Sequence, residues 1–329
     1  MQRIMKLGLS LFKAAVFAVT FPLAVLPLEA GLRLGRVGGR VVFRLWGSRR
    51  RFAVANVEMA VASGSLKIEE PAEAVAQRSF ENIGRSVLET IKIYHGRGRK
   101  IWDGVRIEGI ENFRRAVEKN KGVIWFTGHC GNWEMEALAL PEKLGLRFGV
   151  VARAQNNRYL NQLIEDLRVR NGNDVIYKQG AVRSVLGRLK QNGHVGILID
   201  QAVLVREGGL VSFLGRPAVT TKLPALIARK TGTPILPVFI HRRPEGGHTI
   251  VILPEVALSR KGDKDTAVLE DMQALTGYVE DYIRRWPDQW MWGHRRWKRA
   301  PEAFPEGHGP VVSRSGRPAP LVRPADGGP

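Results

Sequence analysis

A histidine and a glutamate five positions apart are the residues of this chain best suited to chemistry. His129 and Glu134 begin and end the run His-Cys-Gly-Asn-Trp-Glu, and glycines occupy positions 128 and 131. On one continuous helix, residues five apart point about 140° away from each other, so these side chains would not meet. If His129 lies in a turn and Glu134 begins the next helix, the chain folds back on a path that the glycines permit. We therefore expect the imidazole and the carboxylate to be in contact.

Such a pair is able to catalyse acyl transfer. A carboxylate in the first helical turn is kept ionised by the helix dipole. It can hold one imidazole nitrogen and leave the other to act as a base. That base takes a proton from an alcohol as the alcohol attacks a carbonyl, and nearby backbone N–H groups can stabilise the oxyanion. The pattern thus predicts His129 and Glu134 as catalytic residues of an acyl-transfer site without a serine nucleophile.

Other roles fit the pattern less well. A histidine and a glutamate at this spacing occur often by chance, and a lone histidine is usually structural. Cys130 as a nucleophile is disfavoured, because adjacent residues in a turn usually point apart and no second His/Asn pattern supports it. One His, one Cys and scattered carboxylates lack the spacing of a metal site. We therefore expect neither a metal nor a cofactor at this site.

The elements that position these residues alternate between strand and helix. Short apolar runs predict strands at residues 122–127, 146–152, 174–177, 195–199, 235–240 and 250–253. Helical patterns cover residues 72–95, 133–144, 157–171, 181–191, 220–231 and 264–285. Asn132 is a good N-cap for the helix after the catalytic run. This alternation predicts an α/β fold, with a mixed, mostly parallel sheet flanked by helices.

The N-terminal segment predicts a membrane anchor. Residues 7–28 carry one charge, on Lys13, and a bilayer span needs roughly 20 such residues. A cleaved signal peptide is disfavoured, because a long basic amphipathic run follows. That run holds seven arginines, at positions 33, 36, 40, 44, 49, 50 and 51. The heavier positive flank should stay cytoplasmic, against anionic headgroups.

We divide the chain accordingly. Residues 1–31 form the predicted anchor, which could be kinked by its prolines, and 32–300 a single catalytic domain. The tail, 301–329, is rich in Pro, Gly and Arg, and we expect it to be disordered. We expect this domain to lie on the cytoplasmic face of the membrane.

The charge of the chain restricts its partners. The net charge is +20, from 51 Lys and Arg against 31 Asp and Glu, which favours anionic partners. The single cysteine excludes an internal disulfide. A membrane-associated nucleic-acid binder would explain the charge but not the catalytic run, and no nucleic-acid motif is present. We therefore expect no nucleic acid as a partner. A membrane-associated nucleic-acid-binding protein and a catalytically silent scaffold remain the alternatives to an enzyme.

Several segments together resemble a known family. The run from His129 to Glu134 resembles the His-x4-Asp/Glu signature of lysophospholipid acyltransferases, and its Gly-Asn-Trp-Glu form is similar to that of the lipid A biosynthesis acyltransferases. Further similar segments follow in the expected order over roughly residues 5–299: Arg153-Ala-Gln-Asn156-Asn157, Gly196-Ile-Leu-Ile-Asp200-Gln201, Phe213-Leu-Gly215-Arg-Pro217-Ala218, Ala228-Arg-Lys-Thr-Gly232-Thr-Pro234, Pro237-Val-Phe-Ile-His-Arg242 and the tryptophan-rich block 286–298.

The resemblance implies a location at the inner membrane, a substrate, and roles for these residues. It implies transfer of a fatty acyl chain from an acyl carrier protein thioester to a hydroxyl of a lipid A precursor, with His129 as the base and Glu134 as its partner. Another lipid acceptor, such as a lysophospholipid, a glycolipid or an aminoacyl lipid, remains the alternative. The predicted substrate-binding residues are Arg153, Asn156, Asp200, Gln201 and Arg242. For the arginines the alternative is a salt bridge, and for Asp200 it is a cap or a loop hydrogen bond.

Overall fold

A seven-stranded sheet forms the centre of the protein. The computed structural model describes residues 2–170, 172–177, 180–259 and 263–304. The strands of the sheet are β1 Val105–Glu108, β2 Val123–Thr127, β3 Phe148–Ala152, β4 Asp174–Tyr177, β5 His194–Leu198, β8 Ile235–Arg242 and β9 His248–Ile252. Their order is β1-β9-β8-β2-β5-β3-β4, and the pairing is parallel except between β8 and β9. A separate hairpin joins β6 Gly208–Phe213 to β7 Arg216–Thr221.

Helices cover both faces of this sheet, as the fold class predicted. They are α1 Gln2–Val25, α2 Leu28–Leu45, α3 Gly47–Ala62, α4 Ala72–Tyr94, α5 Arg99–Asp103, α6 Ile110–Val117, α7 Trp133–Leu144, α8 Arg158–Arg170, α9 Ala181–Lys190, α10 Leu223–Thr231 and α11 Lys264–Arg285. The helix expected from residue 220 begins instead at Leu223, since the preceding residues pair in the β6–β7 hairpin. The predicted disordered tail lies outside the described residues from position 305 onward.

The core consists of apolar layers on the two faces of the sheet. β2 is buried along its whole length and contributes to both layers. Ile124 and Phe126 pack in one layer, and Val123 and Trp125 in the other. Successive side chains of a strand point to opposite faces, so a strand covered on both sides must be apolar throughout. This explains why the predicted strands are short continuous apolar runs.

α1 is the one helix of the described chain that is long and apolar enough to cross a membrane, over Leu7–Val25. It also packs along one side against the helices of the remaining protein. Phe12 stacks on Tyr159 of α8, and the hydroxyl of Thr20 lies 2.8 Å from Nε2 of His95. The ammonium group of Lys92 donates to the carbonyl of Ala24, at 3.0 Å, near the end of α1. The end of the apolar helix is thus fixed to α4.

Glycines allow α2 to cross α4 in close contact. A Cβ atom on Gly39 would lie 2.2 Å from the carbonyl oxygen of Phe80, and one on Gly84 would lie 2.1 Å from that of Gly35. Both distances are far below van der Waals contact, so a larger residue at either position must push the helices apart. Gly38, one position along α2, has open space around it.

The two neighbouring glycines provide a test of this contact. We expect Gly39→Ala to cost about 1–3 kcal/mol of stability through overpacking. Gly38→Ala should be neutral or stabilising, because alanine is the better helix former by about 0.5–1 kcal/mol. Thermal unfolding of both variants in the same detergent measures the difference. Equal unfolding midpoints would contradict the close crossing.

Candidate active site

The predicted catalytic run lies at the turn between β2 and α7, residues 128–132, which we call the catalytic turn. β2 ends at Thr127 and α7 begins at Trp133. The side chain of Asn132 accepts a hydrogen bond from the backbone N–H of Met135, at 3.1 Å, and so caps α7 as predicted. Gly131 has a φ of +53°, and a Cβ there would lie 2.2 Å from the carbonyl oxygen of Ile240. Only glycine fits this turn without strain.

His129 is held by Asp200. Its Nδ1 lies 2.7 Å from Oδ1 of Asp200, and its backbone N–H donates to Oδ2 of the same carboxylate, also at 2.7 Å. β2 and β5 are parallel neighbours in the sheet, with Thr127 paired to Leu198. His129 follows the carboxyl end of β2 and Asp200 that of β5, so the sheet brings the two side chains together at one edge.

Asp200 is a buried and ionised acceptor. Its side chain is 1% exposed, and Trp290 donates its indole N–H to Oδ2 at 2.8 Å. Burial favours the neutral acid, but the charge and hydrogen bonds of His129, with that of Trp290, outweigh it and hold the pKa of Asp200 below its ordinary value. The carboxylate therefore fixes the ring with Nδ1 as the protonated nitrogen.

Gln201 contacts the other ring nitrogen of His129. Its side-chain amide nitrogen lies 2.9 Å from Nε2. With Nδ1 protonated, Nε2 carries the lone pair and accepts a hydrogen bond from this amide. Asp200 and Gln201, both expected to bind substrate, thus contact the side chain of His129, the predicted base.

Glu134 does not form the expected hydrogen bond with His129 in the part of the chain that the structure describes. Its carboxylate is bound by Arg168 of α8, with Nη2 to Oε1 at 2.7 Å and Nε to Oε2 at 3.3 Å. The expected contact is corrected for a physical reason. The first turn of α7 directs Glu134 towards α8, whereas Asp200 reaches the ring from the adjacent strand.

An apolar cleft lies beside the catalytic turn. Its volume is about 340 Å³, within the size range of small-molecule sites. Trp133 lines it, and the Trp133 ring centre lies 5.1 Å from that of His129. Its walls come from α1, α4, α8 and the start of α7: Val16, Thr20, Ile83, Ser86, Val87, Thr90, Ile91, Tyr94, Asn132, Glu134, Leu160, Leu163, Ile164 and Leu167. The apolar N-terminal helix therefore forms part of the cleft.

Comparison with known proteins decides the family. The family described as bacterial lipid A biosynthesis acyltransferase matches residues 5–299, nearly the whole chain. The chain belongs to this acyltransferase family. It is 25% identical to the lipid A biosynthesis lauroyltransferase of Escherichia coli (strain K12), over 85% of this chain and 89% of that protein.

Two further relatives act on different lipids by name. The chain is 24% identical to the lipid A biosynthesis palmitoleoyltransferase of the same strain, over 77% of this chain and 80% of that protein. It is 28% identical to the phosphatidylinositol mannoside acyltransferase of Mycobacterium tuberculosis (strain ATCC 25618 / H37Rv), over 52% of this chain and 54% of that protein. The acyltransferase therefore has relatives named for both kinds of glycolipid.

Arg242 of this acyltransferase is buried in an ion pair and is not available to substrate. Its guanidinium binds Glu89 through two contacts, at 2.6 and 2.8 Å, and its Nε donates to Asn82. Burial works to raise the pKa of Glu89, but the charges and hydrogen bonds of His248 and Arg242 outweigh it and keep this pKa low. Glu89 also accepts from the side chain of Asn132 at 2.8 Å. The expected phosphate contact is corrected: Arg242 supports the catalytic turn through Glu89.

Arg153 and Asn156 lie on the exposed loop after β3. Neither side chain has a hydrogen-bond partner among the described residues. Burial, together with repulsion from nearby arginines that include Arg153, lowers the pKa of Lys298. Arg153 therefore belongs to a group of cations, which we call the cationic cluster; its members are Arg49, Arg153, Arg295, Lys298 and Arg299.

The cationic cluster lies near the catalytic turn. Arg299 donates to the carbonyl of Ala202, next to Gln201, at 3.3 Å. The backbone N–H of Met291 donates to the carbonyl of His129 at 3.2 Å, so the C-terminal segment runs along this turn. Within the described chain, no carboxylate forms an ion pair with any of the five cations.

Sequence reasoning missed two residues of the site. Trp290, which binds Asp200, lies in the tryptophan-rich block, whose aromatic residues were expected to serve the core or the membrane interface. Only the similarity of that block to the family pointed to it. Arg168, the partner of Glu134, lies in a helix whose pattern gives no signal for the pairing.

Thermal unfolding of an Arg242 variant distinguishes a structural role of this residue, through Glu89, from a role in substrate binding. We expect Arg242→Met to lower the free energy of unfolding by about 3–5 kcal/mol, because the substitution leaves the Glu89 carboxylate buried without the guanidinium that pairs with it. Arg106→Met should cost less than about 1 kcal/mol, since Arg106 is 67% exposed and lies 3.8 Å from Glu245. Thermal unfolding without substrate measures both. If Arg242→Met unfolds like the wild type but raises KM for the acceptor, Arg242 binds substrate instead.

Proposed function

We propose that this acyltransferase moves a fatty acyl chain from an acyl carrier protein thioester to a hydroxyl of a lipid A precursor. We place the reaction at the cytoplasmic face of the inner membrane. The observation that carries the proposal is His129, which is bound through Nδ1 to a buried carboxylate and lies beside Trp133, a residue that lines an apolar cleft. An oriented base beside a lipid-sized cavity suits the acylation of a lipid hydroxyl.

The proposed reaction uses His129 twice. Its Nε2 takes the proton of the acceptor hydroxyl as that oxygen attacks the thioester carbonyl carbon. Asp200 stabilises the resulting imidazolium. The tetrahedral intermediate then breaks the carbon–sulfur bond, and His129 returns the proton to the leaving thiolate. Gln201 occupies Nε2 in the free protein, so the hydroxyl displaces it on binding.

We propose that Glu134 binds the lipid that accepts the acyl group, rather than the ring of His129. Its carboxylate lines the cleft beside Trp133, and Arg168 fixes its orientation. A carboxylate fixed at this position can accept a hydrogen bond from a sugar or lipid hydroxyl of the substrate. That bond would align the hydroxyl for attack. Orientation of His129 by Glu134 would require the contacts to Arg168 and Asp200 to break first.

The cleft suits the fatty acyl chain. Most of its wall consists of aliphatic side chains of α1, α4 and α8. Burial of each methylene group of the chain is worth about 0.8 kcal/mol. A cleft bounded by the predicted anchor is also close to the hydrocarbon layer that holds a lipid acceptor. Both features favour a long-chain acyl donor over a short one.

The cationic cluster suits the charges of both proposed partners. A lipid A precursor carries phosphates, and an acyl carrier protein is strongly acidic. Four arginines of the cluster repel the ammonium group of Lys298, and none of the five cations has a carboxylate partner among the described residues, so an anion bound there would relieve this repulsion. Arg153 keeps its proposed role here, with Asn156 on the same loop.

A phosphatidylinositol mannoside-like acceptor is the second candidate. One observation favours it: the match to the mycobacterial relative, at 28% identity. The same base and the same apolar cleft would serve either acceptor, since both offer hydroxyls on an anionic glycolipid.

Product analysis decides between the two acceptors. Purified protein in anionic vesicles is given an acyl-loaded carrier protein with either a lipid A precursor or a phosphatidylinositol mannoside, and products are identified by mass spectrometry. We expect one added acyl group on the lipid A precursor, and a loss of at least about 100-fold in His129→Ala. Acylation of the mannoside alone would make the second candidate correct. Full activity of a folded His129→Ala would overturn the assignment of the base.

A further inference from the structure

One side of α2 is fully used in packing against α4. Gly31, Gly35, Gly39 and Phe43 recur every four residues and are buried. The second side carries arginines, of which Arg36 and Arg40 pair with Glu81 at 3.2 and 2.8 Å. Arg33 and Arg44, on the same side, are exposed and have no carboxylate partner in the described parts of the chain.

The third side of α2 is apolar and open to solvent. Its four residues recur at helical spacing, and we call them the exposed stripe. Their exposed fractions are 44% for Leu34, 53% for Val37, 45% for Val41 and 81% for Leu45. Trp46, at the end of the helix, is 53% exposed. A contiguous apolar face beside a row of arginines is the pattern of a helix that lies in a membrane interface.

The position of α2 in the chain identifies what covers this stripe. α2 begins at Leu28, shortly after α1 ends at Val25. α1 is itself apolar and largely exposed, with Leu7 and Leu11 at 62% and Val19 at 75%. The bilayer predicted to surround α1 therefore reaches the start of α2. A second copy of the chain would place the unpaired cations of two α2 helices together, whereas an anionic bilayer neutralises them.

We propose that α2 lies flat on an anionic phospholipid bilayer, with the exposed stripe inserted at the level of the headgroups and Arg33 and Arg44 bound to lipid phosphates. This docking is independent of the acyl acceptor. It also has a consequence for the cleft. α4 packs on α2 and forms one wall of the cleft, so docking of α2 fixes the height of the cleft above the bilayer.

A pair of matched probe positions tests the docking in the full chain. Val37 on α2 and Val182 on α9 are both 53% exposed, and the native Cys130 is fully buried. Val37→Cys and Val182→Cys are labelled with an environment-sensitive fluorophore and reconstituted in phosphatidylglycerol vesicles. We expect a blue shift and quenching by spin-labelled lipid at position 37, and quenching by aqueous iodide at position 182. Retained acyltransferase activity shows that the labelled proteins are folded.

Charge substitutions test the proposed phosphate contacts. Arg33→Gln and Arg44→Gln should each weaken docking of position 37 by about fivefold in anionic vesicles, and not in neutral ones. Arg183→Gln and Lys190→Gln on α9 serve as controls and should leave docking unchanged. Iodide quenching at position 37 equal to that at 182 would overturn the proposal. So would a blue shift at position 37 that grows with protein concentration in detergent, since a second copy would then cover the stripe.

Discussion

The hydrogen bond between Asp200 and His129 is the interaction on which the site depends. The carboxylate is almost fully buried, so it is costly unless every oxygen is paired. Three N–H groups meet this demand: the ring and the backbone of His129, and the indole of Trp290. Because the same carboxylate binds both the ring and the main chain of His129, the imidazole is fixed in position as well as in tautomer. The order of the sheet, with β5 beside β2, makes this geometry possible.

A second buried carboxylate supports the turn from behind. Glu89 of α4 accepts from Asn132 in the turn and from Arg242 at the end of β8. The C-terminal segment closes the arrangement, since Gly131 donates to the carbonyl of Gln289 at 2.7 Å. The tryptophan-rich block therefore lies along the catalytic turn, far from its place in the sequence. Segments from distant parts of the chain thus pack around the turn that carries the imidazole of His129.

Local patterns predicted much of this molecule, and long-range pairing accounts for what they missed. The strand, the turn, the cap at Asn132 and α7 follow from spacing and burial within about fifteen residues. The partner of His129 could not be found in this way, because Asp200 lies 71 positions away. The sequences of β2 and β5 do not indicate that these strands are neighbours in the sheet. Glu134 was the nearest carboxylate in sequence, but its own partner, Arg168, is on another helix. Arg242 was expected to bind phosphate, since its burial against α4 cannot be recognised from β8 alone.

Nitrogen NMR of histidine-labelled protein in detergent tests the central claim most directly, because it reports which ring nitrogen of His129 is protonated. The signal is identified by its loss in His129→Ala. We predict the Nδ1-protonated form in the wild type and in Glu134→Gln, and loss of that fixed tautomer in Asp200→Asn. An unchanged His129 signal in Asp200→Asn, with a changed one in Glu134→Gln, would show that Glu134 orients the base and would contradict this account.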